Sequence, residues 1–374
     1  MDENQAELSA APEEKVVSST RVPEAVRPLQ IILVGVGGYG QVWWDLNRSP
    51  LKVRVVAIVD TNPESLAAAG SALGVPMSER FQTLREAIGH VAADAVIDST
   101  PPQFHLDHAL ASMDNGLHLF TAKPMAHTWD DARRMVDAAE AARLVLGVNE
   151  QFRFGSLPLA VSHAIQMGDI GAIESIELDF RESSAWEGWR AEMAHPLLLD
   201  AAVQHFDMVR AITGLEAESV FCRSWRRDRG CFTGHGSASA LFSMTGGVPF
   251  SYRGTWEHSA DAGDATGWWG DWRIQGTMGT LRAEGKRGLW VNGSPSAVVI
   301  RGLDVRQLSA VVLDQFLRAV REGQALPSNG ADDLKTLAMS ELCIRSSASG
   351  MPERAESLER TSPSDTSGSA GNVG

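Results

Sequence analysis

The segment Gly35-Val36-Gly37-Gly38-Tyr39-Gly40 constrains this chain more than any other. It follows the apolar run Ile31-Ile32-Leu33-Val34 and opens onto what reads as a helix. A strand turning into a helix through G-x-G-x-x-G needs glycine for a tight turn, for close approach of backbone to a pyrophosphate, and for packing of helix on strand. The phosphate then rests on the helix N-terminus, where unpaired N–H groups and the dipole favour an anion. Alone, the pattern is weakly specific. The next apolar run, Val53 to Val59, ends in Asp60, about 20 residues beyond the last glycine. A carboxylate there accepts hydrogen bonds from an adenosine ribose and repels a 2′-phosphate, so NAD is the expected cofactor rather than NADP. A Walker loop is excluded because no Gly-Lys-Ser/Thr follows.

With 374 residues the chain exceeds one small core, and two domains are expected. Its 33 Lys and Arg stand against 47 Asp and Glu, a formal charge of −14, which argues against nucleic acid or an anionic membrane surface as partner. A phosphate-bearing cofactor is still compatible, since loop amides bind it locally. The start is acidic where a signal peptide is basic, and no apolar run reaches membrane-spanning length, so a cytoplasmic location is expected. Cys222, Cys231 and Cys343 have no C-x-x-C spacing, and the ten histidines form no H-E-x-x-H pair. A disulfide framework and a metal site are therefore not expected. Nor is there a G-x-S-x-G serine elbow.

Residues 1–28 and 351–374 read as disordered tails. Apolar strands at 31–35, 53–60, 95–100, 118–121 and 144–148, separated by helical segments such as 104–115 and 129–142, predict a parallel sheet covered on both faces. This gives an NAD-binding Rossmann domain over 29–150. Beyond it, Ile176, Leu178 and Phe180 alternate with charged neighbours, the period of a sheet wet on one face. Further strands at 219–225, 237–242, 250–256, 271–274 and 289–291 predict an α/β domain over 151–350, built on an open, mostly antiparallel sheet. A helix over 200–213 ends at Gly214.

The glycine loop, Thr100-Pro101-Pro102-Gln103-Phe104-His105, Lys123-Pro124, Phe152-Arg153-Phe154 and Asp200 to Asp207 occur in an order that resembles the Gfo/Idh/MocA family of NAD(P)-dependent sugar and polyol oxidoreductases. The resemblance covers about residues 29 to 350. It implies a Rossmann domain followed by a substrate domain whose open sheet often carries a homo-oligomer interface.

By that resemblance, Gly35, Gly37, Gly38, Tyr39, Gly40 and Asp60 hold the cofactor, and Thr100 and Pro102 lie beside the nicotinamide. His105 is either a cofactor neighbour or a helix-start residue satisfied by backbone. Lys123 matches the lysine of a Glu-Lys-Pro motif, where its amine contacts nicotinamide ribose and substrate hydroxyl and transfers a proton. Two positions depart from the pattern. Ala122 replaces the glutamate before the lysine, and the family's Asp-x-x-x-His reads Asp200 to Gln204 here. Asp200, Gln204 and Asp207 share one face of a regular helix, whereas His205 lies about 140° from Asp200. His205 is thus a packed helix residue or a substrate contact, not a simple substitute for the histidine. Glutamine does not titrate near neutrality. Lys123 must then be the acid/base, with Asp200 and Gln204 as partners. Trp189 and Arg190, near Trp186 and His195, suit the faces and hydroxyls of a sugar. Arg153 contacts substrate or anchors the domain junction.

The expected activity is hydride transfer to or from a secondary hydroxyl carbon of a sugar, polyol or related cyclic compound. Two alternatives are an NAD-retaining lyase or glycosidase acting by transient oxidation, and a non-catalytic NAD-binding scaffold or sensor.

Overall fold

Short runs of Ile, Leu, Val and Ala, buried on both faces, build the first sheet of the computed structural model. It describes residues 27–360 apart from 184, 185, 229, 260–262, 286, 299, 300 and 303. The strands are β1 (Leu29–Val34), β2 (Val53–Val59), β3 (Arg80–Phe81), β4 (Ala95–Asp98), β5 (His118–Ala122) and β6 (Leu146–Asn149). All pair in parallel, in the order β3-β2-β1-β4-β5-β6. This is the doubly wound order, with its switch point between β1 and β4.

Helices α1 (Pro63–Leu73), α2 (Leu84–His90), α3 (His105–Asp114) and α4 (Trp129–Ala142) connect the strands. Their starts are written locally. Asn62 caps α1 ahead of Pro63, and Thr83 with Glu86 forms a reciprocal capping box on α2. The helix expected directly after the glycine loop is instead a 3₁₀ segment, Gly38–Trp43. Trp43 and Trp44 fasten it by indole N–H bonds to Ser99 Oγ and the Val36 carbonyl, both 2.9 Å.

The second sheet contains β7 (Ile173–Arg181), β8 (Ala217–Trp225), β9 (Ser237–Met244), β10 (Val248–Thr255), β11 (Asp271–Gly276), β12 (Gly279–Glu284), β13 (Gly288–Val291), β14 (Ser294–Pro295) and β15 (Glu353–Arg354). Its order is β14-β13-β12-β11-β7-β10-β9-β8-β15, antiparallel except where β7 meets β10. Helices α5 (Ser156–Gln166), α6 (Ala202–Thr213) and α8 (Gly330–Ser349) cover one face, burying Ile176, Leu178, Phe180, Phe206 and Phe250. The short α9 (Glu356–Arg360) follows β15.

Two features depart from the expected layout. Helix α7 (Val305–Glu322), which falls in the second domain by chain order, buries Val312, Leu313, Phe316 and Leu317 against Ile31, Leu33 and Phe120 of the first sheet. Its amphipathic period shows a buried face without showing which sheet takes it. The tail expected from 351 begins later, because Glu353 pairs with Val220 and Leu358 is buried. The rest of that tail, 361–374, and residues 1–26 lie outside the described residues.

Candidate active site

The strand ends on either side of the switch point open into a cleft of about 610 Å³. Gly35, Gly37, Gly38, Tyr39 and Asp60 line one end, Thr100, Pro102 and His108 the middle, and Lys123, Gln151, Trp189 and Arg190 the other.

Gly35 has φ +73°, and a Cβ there would lie 2.8 Å from the Thr100 amide. Gly40 does not line the cleft. A Cβ on it would fall 1.8 Å from the Gly35 carbonyl oxygen, so its role is close packing beneath the turn. Gly38 faces open space, with nothing within 4 Å of the position a Cβ would take. The Gly37 amide donates to Asp60 Oδ2 at 3.0 Å, and the Asn62 amide donates to Oδ1 at 2.9 Å. A bare backbone turn with a fixed carboxylate at the end of β2 fits a pyrophosphate and an adenosine ribose.

Asp98, at the end of β4, shapes the middle of the cleft. Its Oδ1 accepts from the Thr100 amide (2.9 Å) and hydroxyl (2.6 Å), and its Oδ2 from His108 Nδ1 (2.7 Å). Burial works against the carboxylate, but His105 and His108 beside it outweigh that and hold Asp98 down at about 2. For His108 burial is likewise outweighed, here by Asp98, and its pKa is raised. His105 does not line the cleft. It is fully buried between the carbonyls of Met125 (3.0 Å) and Thr100 (2.8 Å), where it braces the loop from behind. The histidine that reaches the cleft is His108, three residues along the helix.

Lys123 emerges from the end of β5. Its Nζ donates to the Asp200 carbonyl at 2.5 Å and to Asp200 Oδ1 at 2.7 Å. Asp200 Oδ2 accepts from Arg190 Nε at 2.8 Å, and the guanidinium lies over Trp189 and Trp186, 4.3 and 5.0 Å from the ring centroids. Burial opposes ionisation of Asp200, but Lys123 and Arg190 outweigh it and hold the carboxyl below its ordinary range. Asp200 lies in a π-helical turn, Leu197–Ala201, rather than in the regular helix expected over 200–213. Such a turn presents a side chain at an angle that α-helical phasing does not give.

Gln204 is buried, does not line the cleft, and has an Nε2 with no hydrogen-bond partner among the described residues. Arg153 and His205, each read as either a substrate contact or a packed residue, do not line the cleft. Arg153 is the junction anchor. It pairs with Asp207 through Nε (2.8 Å) and Nη2, and reaches Asp332 (2.8 Å) and the Pro327 carbonyl (3.2 Å). His205 is fully buried against the second sheet, donating from Nε2 to the Trp268 carbonyl (3.0 Å) and accepting at Nδ1 from the Tyr252 hydroxyl (3.2 Å). Burial lowers its pKa to about 4.

The cleft also includes Gln82, Arg85 and Gln151, which the sequence did not single out, and Phe104, which entered only as part of the 100–105 motif and without a role. Gln82 and Arg85 flank the Thr83 cap, and Phe104 directly precedes α3. Loop residues just after strands of a parallel sheet are the signal that could have found them.

A doubly wound parallel sheet with a glycine turn, an acidic residue at the second strand's end, and a lysine facing the same cleft defines a dinucleotide-binding oxidoreductase of two-sheet architecture. Two family models match: residues 29–150 fit "Oxidoreductase family, NAD-binding Rossmann fold", and residues 159–282 fit the "GFO/IDH/MocA C-terminal domain". The chain belongs to the Gfo/Idh/MocA family of NAD-binding oxidoreductases. It is 27% identical to the 1,5-anhydro-D-fructose reductase of Ensifer adhaerens, over 81% of this chain and 91% of that one. With the D-apiose dehydrogenase of Paraburkholderia graminis it shares 26% identity, over 98% of this chain and 100% of that one. Among solved structures, an oxidoreductase from Agrobacterium radiobacter in complex with NAD+, L-tartaric acid and magnesium superposes with a TM-score of 0.78 at 22% identity, covering 88% of this chain and 99% of that one.

Proposed function

We propose that the protein interconverts a secondary hydroxyl and a carbonyl on a sugar, polyol or related cyclic compound, with Lys123 handling the proton at the reacting oxygen. NAD, when bound, supplies the hydride exchange. The observation that carries this reading is the double hold of Asp200 on Lys123 Nζ. A neutral amine has two N–H bonds, and both are directed at Asp200. Its lone pair is then left to accept the hydroxyl proton, and in the reductive direction the ammonium's third N–H donates it back. Gln204 cannot take this part because it does not titrate. Trp189 offers an apolar ring to a sugar face, and Arg190, fixed through Nε, retains guanidinium N–H groups for substrate oxygens.

In this reading residues 29–150 hold the cofactor and 151–350 supply most of the substrate side, with α7 assisting the first sheet. The outer face of the second sheet exposes Phe221, Trp225 and Leu241, which supports assembly with a second copy through that face. Action in the cytoplasm is part of this reading; none of the described helices is long and apolar enough to cross a membrane.

The glutamine at 204 favours a second reading, in which the substrate is oxidised only transiently, an elimination or glycosidic cleavage follows, and no net redox change results. A sugar and polyol panel with stoichiometric NAD separates the two. Net NADH equal to product supports the dehydrogenase; product without net NADH supports the lyase. No product anywhere in the panel, with NAD bound, supports a scaffold.

A further inference from the structure

We propose that Glu150 is the buried charge partner of Lys123, a positioning residue whose carboxylate balances the ammonium while Nζ holds the substrate's proton. This rests on the role given to Lys123 above. Strands β5 and β6 pair up to Ala122 and Asn149, so Lys123 and Glu150 are the next residues along two neighbouring chains. Ala122 offers no carboxylate to the lysine that follows it; the adjacent strand does.

Glu150 is fully buried, and neither of its carboxylate oxygens has a hydrogen-bond partner among the described residues. A carboxylate in such a place holds a proton unless a cation compensates it. The charged and titratable groups around it are Lys123 from the end of β5, Tyr39 from the glycine turn, Asp207 from α6, Asp333 from α8 and Arg153 from its own turn. Burial, then Asp207 and Asp333, push the Glu150 carboxyl well above its ordinary range, while Lys123 and Arg153 pull the other way. Arg153 is already engaged by Asp207 and Asp332, and Arg210 by Glu216 and Asp332. Lys123 is paired as well, with Asp200, but unlike an arginine a lysine can lose its proton, so it is the cation whose charge changes during turnover.

Glu150 acts through charge alone, because no donor among the described residues reaches its oxygens. When Nζ takes the substrate hydroxyl proton, one O–H bond breaks and one N–H bond forms, and the buried carboxylate balances the new charge. The proton then leaves Nζ for solvent through the cleft that Lys123 lines, and in reduction the steps reverse.

Infrared difference spectra across a pH series, with and without NAD, read the protonated carboxyl band of Glu150, identified by its loss in Glu150→Gln. If that variant does not fold, Glu150→Asp identifies it by the displacement of the band. Removing the lysine in Lys123→Met should move the band's midpoint up by about one pH unit or more; an unchanged midpoint overturns the proposal. In turnover, Glu150→Gln should lower kcat about tenfold or more, with KM and NAD affinity within about threefold of wild type, and Glu150→Asp should restore part of the pH profile. A wild-type pH profile in Glu150→Gln also overturns it. If the wild type forms no NADH with any substrate, the functional reading fails, while the infrared midpoints still decide Glu150.

Discussion

Lys123 Nζ is held by Asp200 at two points, the backbone carbonyl at 2.5 Å and Oδ1 at 2.7 Å. Replacing the carboxylate in Asp200→Asn leaves the first hold, loosens the second and releases Arg190. We expect kcat to fall about a hundredfold, the order of loss that misplacing a reacting group by about 1 Å produces. The carboxyl's pKa is lowered on folding, so its contribution to stability is present above the unfolded value and disappears as pH falls through the folded one. Thermal melts of wild type and variant should therefore converge in acid.

Arg153 pairs with Asp207 and Asp332 at the junction of α6 and α8 and does not line the cleft. Arg153→Met leaves buried Asp207 without its cation and should cost about 3–5 kcal/mol of stability. In the fraction that remains folded, substrate KM should match wild type. A raised KM at unchanged stability would restore Arg153 to the substrate.

His205 is neutral in the fold, with its pKa lowered to about 4. Between its unfolded value near 6.5 and that folded value, only the unfolded chain takes up the proton, so stability falls as pH drops through this window. Urea midpoints of His205→Gln should show a shallower pH dependence there than those of wild type.

Asp60 receives the Gly37 amide and ends β2 beside the cleft. Removing the charge in Asp60→Ala should weaken NAD binding roughly tenfold to a hundredfold, the range for a lost charged hydrogen bond. It should also narrow the preference over NADP. Calorimetric titration with both nucleotides checks this, and a clear wild-type preference for NADP would contradict the role of Asp60.

What the sequence reveals is what lies close along the chain. The glycine turn, Asp60 and the α1 and α2 caps each depend on residues a few positions apart, and β7 declares its buried face by alternation. The meeting of Lys123 with Asp200, 77 residues later, is accessible only through resemblance to a family. Periodicity also fails at Asp200, because a π turn breaks the 100° phase, and it cannot say that α7 returns to the first sheet. His105 and His108 illustrate the same limit. Both belong to α3, and only the placement of that helix decides that the first is sealed behind the loop and the second faces the cleft.

The central claim is that Lys123 carries the proton of the redox step. Its most direct test is the first-turnover rate of NADH appearance in Lys123→Met against wild type, with the substrate found by the panel and NAD affinity measured alongside. The account predicts a rate lower by about two to four orders of magnitude, with NAD bound as tightly as in wild type. A Lys123→Met enzyme that produces NADH at the wild-type rate would contradict it.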